Sequence, residues 1–152
     1  MSLSFLKDNP LLSDMNDDER DKFVTYLESG RFSKNSTIFV EKMMGESMFF
    51  IVGGRVKLTH MVSEGVEKIL VELSAGESFG ELALIDSGQR AVTARVIEDA
   101  EIYKLTRKNF EKLLNDDSDI GKKFLLAILK RVVSDVRQSI PIISKIIQEG
   151  EV

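Results

Sequence analysis

A glycine, a glutamate and an arginine lie close enough together in the sequence to bind a small anion. A strand is expected to end at Gly76, and a short helical turn is expected to begin at Gly80. The first N–H groups of such a turn lack partners within the helix and can donate to an anion. Arg90 follows with a planar fork of donors that suits phosphate oxygens, and Glu81 can accept hydrogen bonds from sugar hydroxyls. The spacing indicates an anionic ligand with a hydroxylated ring, and it leaves open a plain turn held by a Glu81–Arg90 ion pair.

Short β-strands are expected on both sides of this segment. Between residues 37 and 105, β-branched and aromatic residues come in short runs that are separated by glycines. The predicted strands are Thr37–Glu41, Met48–Val52, Arg55–Val62, Val66–Leu73, Ala91–Val96 and Glu101–Leu105, with a hairpin turn at Ser63-Glu64-Gly65. Strands and turns spaced this closely are typical of a small barrel or jelly roll.

Helical patterns flank the predicted strands. Asn16 with Glu19 forms a capping-box pattern, and the helix that follows is expected to stop at Gly30. After the strands, a short helix around Phe110 precedes a longer one from about Ile120 to Ser139. The apolar stripe of the longer helix consists of Phe124, Leu125, Ile128, Leu129, Val132, Val133 and Val136. Pro141 is expected to break or kink the helix before an isoleucine-rich tail that ends near Ile147.

Composition and charge exclude several classes of function. The 152 residues, 43% of them hydrophobic and 30% charged, fit one folded domain spanning 1–152. The formal net charge of −4 provides no global positive field, so nucleic acid and anionic membranes are not expected as direct partners. No apolar run approaches the length of a membrane span, and the N-terminus lacks a signal-peptide pattern, so we predict a cytoplasmic protein.

Metal and thiol chemistry have little support. The chain has no cysteine and a single histidine, His60, so neither a thiol nucleophile nor a multi-histidine metal site can form. Strand alternation places His60 with Val56 and Leu58, opposite Lys57, Thr59 and Met61, and we interpret His60 as a surface or rim residue. A cupin-like metal enzyme would then need ligands that are all carboxylates, which makes an enzyme the weaker hypothesis.

The segment 79–93 resembles the phosphate-binding cassette of the cyclic nucleotide-binding domain family, as found in the catabolite activator protein and in protein kinase A regulatory subunits. The resemblance is carried by Phe79-Gly80-Glu81-Leu82-Ala83-Leu84 and Arg90-Ala91-Val92-Thr93. It extends to Gly45, to Met48–Val52 and to Gly54-Arg55-Val56-Lys57-Leu58, and covers about Leu12 to Val136. It implies an antiparallel β jelly roll (31–106) between an N-terminal helical segment (1–30) and C-terminal lid or hinge helices (107–152).

The resemblance also implies a role for each site residue. Arg90 would pair with the cyclic phosphate, Glu81 would accept from the ribose 2′-hydroxyl, and the backbone amides of Gly80, Leu82 and Ala83 would complete the cradle. Phe79 and Val92 lie in the same cassette. Ala91 stands where relatives selective for cyclic GMP often carry threonine, which favours cyclic AMP and keeps cyclic GMP as the alternative. The residues expected to lie in the lid are Arg131, Ser134, Asp135 and Gln138.

The implied function is that of a sensor without catalysis or a resident cofactor. Nucleotide binding would move the C-terminal helices and control either a homodimer or a separate effector protein. Fewer than fifteen residues follow Ser139, too few for the helix-turn-helix domain of the bacterial relatives. Two alternatives stay open, namely a structural or protein-interaction domain with a vestigial pocket and a fragment of a larger cyclic nucleotide-regulated protein.

Overall fold

A computed structural model describes residues 4–150, so the first three and last two positions of the predicted 1–152 domain lie outside it. The helices are α1 (Ser4–Asp8), α2 (Asp17–Val24), α3 (Leu82–Ile85), α4 (Arg107–Asp116) and α5 (Ser118–Gly150), with a 3-10 turn at Pro10–Leu12. The strands are β1 (Glu28–Phe32), β2 (Thr37–Phe39), β3 (Ser47–Ser63), β4 (Val66–Ser74), β5 (Ser78–Phe79) and β6 (Thr93–Thr106).

The strands form one curved antiparallel sheet in which β6 and β3 are the central pair. The hydrogen-bonded order is β1-β6-β3-β4, while β2 pairs with β6 and β5 pairs with β3. This arrangement, with helices at both ends of the chain, confirms the predicted jelly roll with flanking helices. The hairpin that joins β3 to β4 also forms as expected, with Gly65 in the left-handed region at φ +75°.

Four predicted strands merge into two long ones, which corrects the sequence-based bounds. The runs before and after Gly53-Gly54 are both part of β3, and the runs before and after Asp99 are both part of β6. The pairing register shifts near Gly53, so the chain bends without leaving the sheet. Gly54 has φ +85°, and a Cβ there would lie 2.4 Å from the Asp99 carbonyl oxygen. Glycine therefore marks a bulge inside a strand here, not a turn between strands.

Two apolar clusters fill the two faces of the sheet. Met48 and Phe50 point to the helices, whereas Phe49 and Ile51 point into the barrel. The helix-side cluster is centred on Phe50 and Phe124, whose ring centroids are 6.4 Å apart. Because both faces of this part of β3 are covered, its sequence is apolar at every position and does not alternate.

The helix bounds differ from the sequence-based expectation at three places. The capping box of Asn16 and Glu19 is formed, but α2 ends at Val24, and Gly30 lies inside β1 and does not stop the helix. The last helix begins at Ser118 and runs through Pro141 to Gly150, so the predicted break is wrong. Proline removes one N–H donor, and at an exposed position the Arg137 carbonyl that would have accepted it can turn to water.

The second half of β3 keeps the predicted alternation as far as Met61. The extra residue where its pairing with β4 shifts between Leu58 and Thr59 is Leu70 of β4, so the faces of β3 are not reversed. Thr59, on the face opposite Leu58, is buried with 1% of its surface exposed, and the His60 side chain is 45% exposed. The imidazole Nδ1 lies 3.0 Å from a carboxylate oxygen of Glu41. His60 is thus a surface residue, as predicted.

A tyrosine hydrogen bond connects the segment after α2 to the junction of α4 and α5. The Tyr26 hydroxyl donates to the Asp117 carboxylate at 2.5 Å, and Lys22 Nζ lies 3.0 Å from the same carboxylate. The hydrogen bond from Tyr26 is the main cause that lowers the pKa of Asp117, and it raises the pKa of Tyr26 to about 12. The charged carboxylate and the neutral phenol are both favoured by folding.

We expect this pair to give the free energy of unfolding a pH dependence at both extremes. Because the folded pKa of Asp117 is lowered, its contribution is present above the ordinary aspartate pKa and is lost as the pH falls through the folded value. Because the folded pKa of Tyr26 is raised, its contribution is present below pH 10 and is lost between about 10 and 12. Tyr26→Phe should lower the melting temperature by a few degrees at neutral pH and flatten the acid limb. Equal stability–pH curves for variant and parent would contradict the coupling.

Candidate functional site

The structure brings Arg90 onto the turn at Gly80. Arg90 Nη1 donates to the Gly80 carbonyl at 3.3 Å, and Nη2 donates to the Ser47 carbonyl at 2.6 Å. Gly80 has φ +82°, a conformation that side chains rarely adopt, and a Cβ there would lie 2.9 Å from Arg90 Nη1. The glycine therefore allows both the turn and the close approach of the guanidinium.

The Arg90 side chain is half-buried and has no acidic partner among residues 4–150. Its guanidinium carbon lies 4.1 Å from the ring centroid of Phe39 and 5.8 Å from that of Phe49. Nε is buried and is the one buried side-chain N or O atom in the described part of the chain without a hydrogen-bond partner. Burial lowers the pKa of Arg90 below its usual value, since no neighbouring charge offsets the loss of hydration. A guanidinium in this state favours an anion nearby.

Glu81 pairs with the last helix and not with Arg90. Its carboxylate lies 3.5 Å from Nε of Arg131 on α5, and its side chain is 13% exposed. Arg131 Nη1 also lies 3.4 Å from the Ser78 hydroxyl on β5. The turn held by a Glu81–Arg90 ion pair, which the spacing left open, is therefore not the arrangement formed. Instead, Arg131 connects α5 to the segment that carries Gly80.

The rest of the cassette is anchored by apolar contacts. Phe79 is buried and stacks on Phe49 with ring centroids 5.3 Å apart. Ala83 and Leu84 are buried on the inner side of α3, whereas Leu82 is 60% exposed. The Ala83 N–H donates to the Gly80 carbonyl at 3.3 Å, so this member of the predicted cradle has a partner within the turn. Ala91 is exposed and Val92 is half-buried, and both lie just before β6.

The segment before β3 completes the surroundings of Arg90, although its sequence pattern indicated no role in the site. The backbone of Arg90 exchanges hydrogen bonds with this segment, from Lys42 N–H at 2.8 Å and to the Met43 carbonyl at 2.7 Å. Gly45 N–H donates to the Gly88 carbonyl at 3.1 Å. An aromatic ring over the arginine, here Phe39, leaves no signal in local spacing because 51 positions separate the two residues. Gly45 entered the sequence-based reasoning only as part of a strand pair.

Three of the four predicted lid residues line a cavity beneath α5. The cavity has a volume of about 490 Å³. Arg131, Ser134 and Asp135 line it from α5, as do two further residues of that helix, Ser78 lines it from β5, and residues 10, 11, 13 and 14 also line it. Gln138 lies outside the lining and donates to the Ser134 hydroxyl at 3.3 Å. Because Arg131 borders the cavity and pairs with Glu81, the cavity and the cassette are neighbours across this one side chain.

Residues 4–150 contain neither a metal-binding cluster nor a membrane-spanning helix. No group of three or more His, Asp or Glu side chains there is arranged to hold a metal ion. None of the helices in the same range has the length and apolar character needed to cross a membrane.

Comparisons with known proteins point to one family. The family model for the cyclic nucleotide-binding domain matches residues 29–117. The cyclic AMP receptor protein of Thermus thermophilus is 29% identical over 109 residues, which are 72% of this chain and 50% of that protein. A cAMP-dependent protein kinase regulatory subunit of Aspergillus niger is 32% identical over 120 residues, 79% of this chain and 28% of that protein. The chain thus spans half or less of the length of these relatives.

Solved structures show the same fold. The N-terminal domain of a transcriptional regulator from Streptomyces coelicolor superposes with a TM-score of 0.81 at 23% identity, covering 90% of this chain and 95% of that one. The catabolite activator protein of Thermus thermophilus superposes with a TM-score of 0.80 at 26% identity, covering 90% of this chain and 63% of that one.

Proposed function

The chain belongs to the cyclic nucleotide-binding domain family, and from this premise we propose that it binds cyclic AMP and changes the position of α5 when it does so. At the level of the family it is a regulatory domain and not an enzyme. The observation that carries the proposal is Arg90, a half-buried cation with no acidic partner among residues 4–150, beside the turn at Gly80, whose φ of +82° side chains rarely adopt. We also propose that the protein is cytoplasmic.

The proposed contacts with the nucleotide use hydrogen-bonding groups of the cassette. Two carbonyls use two of the five guanidinium N–H donors of Arg90, which leaves the others for oxygens of the cyclic phosphate. Glu81 accepts from the ribose 2′-hydroxyl, and the backbone amides of Gly80 and Leu82 extend the cradle. The Ala83 amide can join it only by giving up its 3.3 Å bond to the Gly80 carbonyl.

The route from ligand to helix runs through Arg131. A ribose hydroxyl on Glu81 adds a new partner to the carboxylate that now holds Arg131 at 3.5 Å. Among the positions that α5 already adopts, the ligand therefore stabilises the one in which Glu81 can contact both the ribose hydroxyl and Arg131. The predicted lid residues Arg131, Ser134, Asp135 and Gln138 lie on the part of α5 that such a shift would move over the base.

The proposed partner is a second copy of this chain. Seven apolar residues of α5 recur at alternating intervals of three and four positions, and each is between 47% and 58% exposed. We call them the α5 seam: Leu126, Leu129, Val133, Val136, Ile140, Ile143 and Ile147. This spacing is the pattern by which helices pair along one face. The predicted apolar stripe is thus divided, with Phe124 and Ile128 in the chain's own core and the seam facing outward.

Calorimetry with cyclic AMP and cyclic GMP on parent and Ala91→Thr protein tests ligand and selectivity together. The parent should bind cyclic AMP more tightly, because alanine offers no hydroxyl to the guanine amino group. Ala91→Thr should raise the affinity for cyclic GMP by about 3- to 10-fold, the value of one hydrogen bond, and leave cyclic AMP almost unaffected. Since Ala91 is exposed, the threonine fits without repacking.

The stability of the parent protein, measured with and without nucleotide, distinguishes nucleotide binding from a vestigial pocket. At about 100 times its dissociation constant, cyclic AMP should add about 2.7 kcal/mol to the free energy of unfolding and raise the melting temperature. No heat of binding and no melting shift with either nucleotide, in a protein that melts cooperatively, would contradict the proposal and support a structural or protein-interaction domain.

A further inference from the structure

Gly45 lies against the guanidinium of Arg90 more closely than any other residue could. A Cβ built on Gly45 would be 2.4 Å from Arg90 Nε, 2.7 Å from Cζ and 2.9 Å from Cδ. Carbon atoms do not approach nitrogen or carbon this closely without a bond, so a side chain at position 45 would require Arg90 to move. No atom other than those of Arg90 is among the three nearest neighbours.

The need for glycine at this position is steric and not conformational. The glycines with φ in the left-handed region are Gly54, Gly65, Gly76 and Gly80, and Gly45 is not among them. Alanine can adopt the backbone geometry of Gly45, and the clash involves a flexible side chain, not backbone as at Gly54. A substitution at Gly45 is therefore expected to leave the fold intact and displace one side chain.

Arg90 has little room to yield within its present pocket. The ring of Phe39 covers one side at 4.1 Å, and the Gly80 and Ser47 carbonyls hold the two Nη atoms at 3.3 and 2.6 Å. Moving Nε away from position 45 must break one of these contacts. We propose that Gly45 is a positioning residue, which fixes the guanidinium of Arg90 at the Gly80 turn and so sets the affinity for the cyclic phosphate. This inference rests on the proposed function.

Gly45→Ala, with Gly88→Ala as its matched control, tests the inference. Gly88 accepts the hydrogen bond from Gly45 N–H, and a Cβ on Gly88 would meet nothing within 4 Å. Gly45→Ala should weaken cyclic AMP binding by between about 10- and 1000-fold, as for a charged pair that loses its geometry, with a melting temperature close to the parent's. Gly88→Ala should bind like the parent.

A double-mutant cycle separates positioning from a structural effect. If Gly45 acts through Arg90, adding Gly45→Ala to Arg90→Ala should cause no further loss of affinity. A loss that is the same with and without Arg90 would overturn the inference, as would parent-like affinity in the Gly45→Ala protein.

The Arg90 Nε–H resonance gives a readout that does not depend on nucleotide. The resonance is identified by its disappearance in Arg90→Lys protein, and it should shift in Gly45→Ala and stay in place in Gly88→Ala. An unchanged resonance in Gly45→Ala would overturn the inference even if the parent binds nucleotide. If the parent binds no nucleotide while the resonance shifts, the proposed function fails and Gly45 still positions Arg90.

Discussion

Arg90→Ala is expected to weaken cyclic AMP binding by about 2–5 kcal/mol, which is roughly 30- to 5000-fold in the dissociation constant. The cyclic phosphate would lose the cation that donates to the Gly80 carbonyl and that has no acidic partner among residues 4–150. The melting temperature should change little, because Arg90 makes no ion pair there and carries a buried N–H without a partner. Removing Arg90 eliminates its packing on Phe39 and two hydrogen bonds to carbonyls. The same substitution also removes a half-buried charge that has no charged partner in the described residues.

Arg95→Ala is the matched control for this experiment. Arg95 lies on β6 and contacts the side chains of Glu67 at 3.3 Å and Thr37 at 2.8 Å, away from the Gly80 turn. Its loss should lower the melting temperature slightly, as for an exposed ion pair, and leave nucleotide affinity unchanged. Parent-like affinity in Arg90→Ala would contradict the phosphate role. A fall in melting temperature well beyond that of Arg95→Ala, without a change in affinity, would make Arg90 a structural residue.

The sequence indicated which residues of the candidate site lie close together in the chain. Gly80, Glu81 and Arg90 fall within eleven positions, and the turn chemistry of glycine and the donors of arginine are properties of the residues themselves. In the structure, Arg90 donates to the Gly80 carbonyl. The partners of these residues could not be predicted in the same way. Arg131 is fifty positions from Glu81 and Gly45 is forty-five positions from Arg90, so only the folded chain brings each pair together.

The errors in the fold have the same origin. The strand β1, with sequence Glu-Ser-Gly-Arg-Phe, has no apolar alternation because all five of its residues are exposed or half-exposed. It pairs with β6 through its backbone, with Gly30 opposite Ile102, and backbone pairing leaves no trace in the sequence pattern. Pro141 was interpreted by its local effect on helix geometry, yet thirty-two other residues of α5 keep the helix continuous.

The last helix joins the two halves of the proposed mechanism. Its first part supplies Phe124 and Ile128 to the core, Arg131 contacts the cassette, and the α5 seam faces away from both. With 3.6 residues per turn, Arg131 lies on the opposite side of the helix from Val133 and Ile140. A rotation or shift of α5 that follows a change at Glu81 would therefore move the seam as a rigid unit. Nucleotide binding and pairing between two copies should then affect each other's free energies.

Ile140→Glu is expected to abolish pairing between two copies of the chain. The parent should have a mass in solution of twice 17.1 kDa, and the variant should be a monomer with a dimer dissociation constant raised at least about 100-fold. In a paired seam, two carboxylates would face each other in an apolar contact, which costs far more than the lost isoleucine surface.

Ile142→Glu is the matched control, because it makes the same substitution two positions away at a comparably exposed isoleucine. Ile140 is 58% exposed and Ile142 is 61% exposed, but Ile142 lies almost opposite the α5 seam. Sedimentation equilibrium over a range of concentrations should find Ile142→Glu dimeric, and circular dichroism should find equal helix content in both variants. A monomeric parent would assign the seam to a different protein as partner. Dimers in both variants would place the contact elsewhere on the molecule, and the proposed coupling between Glu81 and the seam would then lack its physical connection.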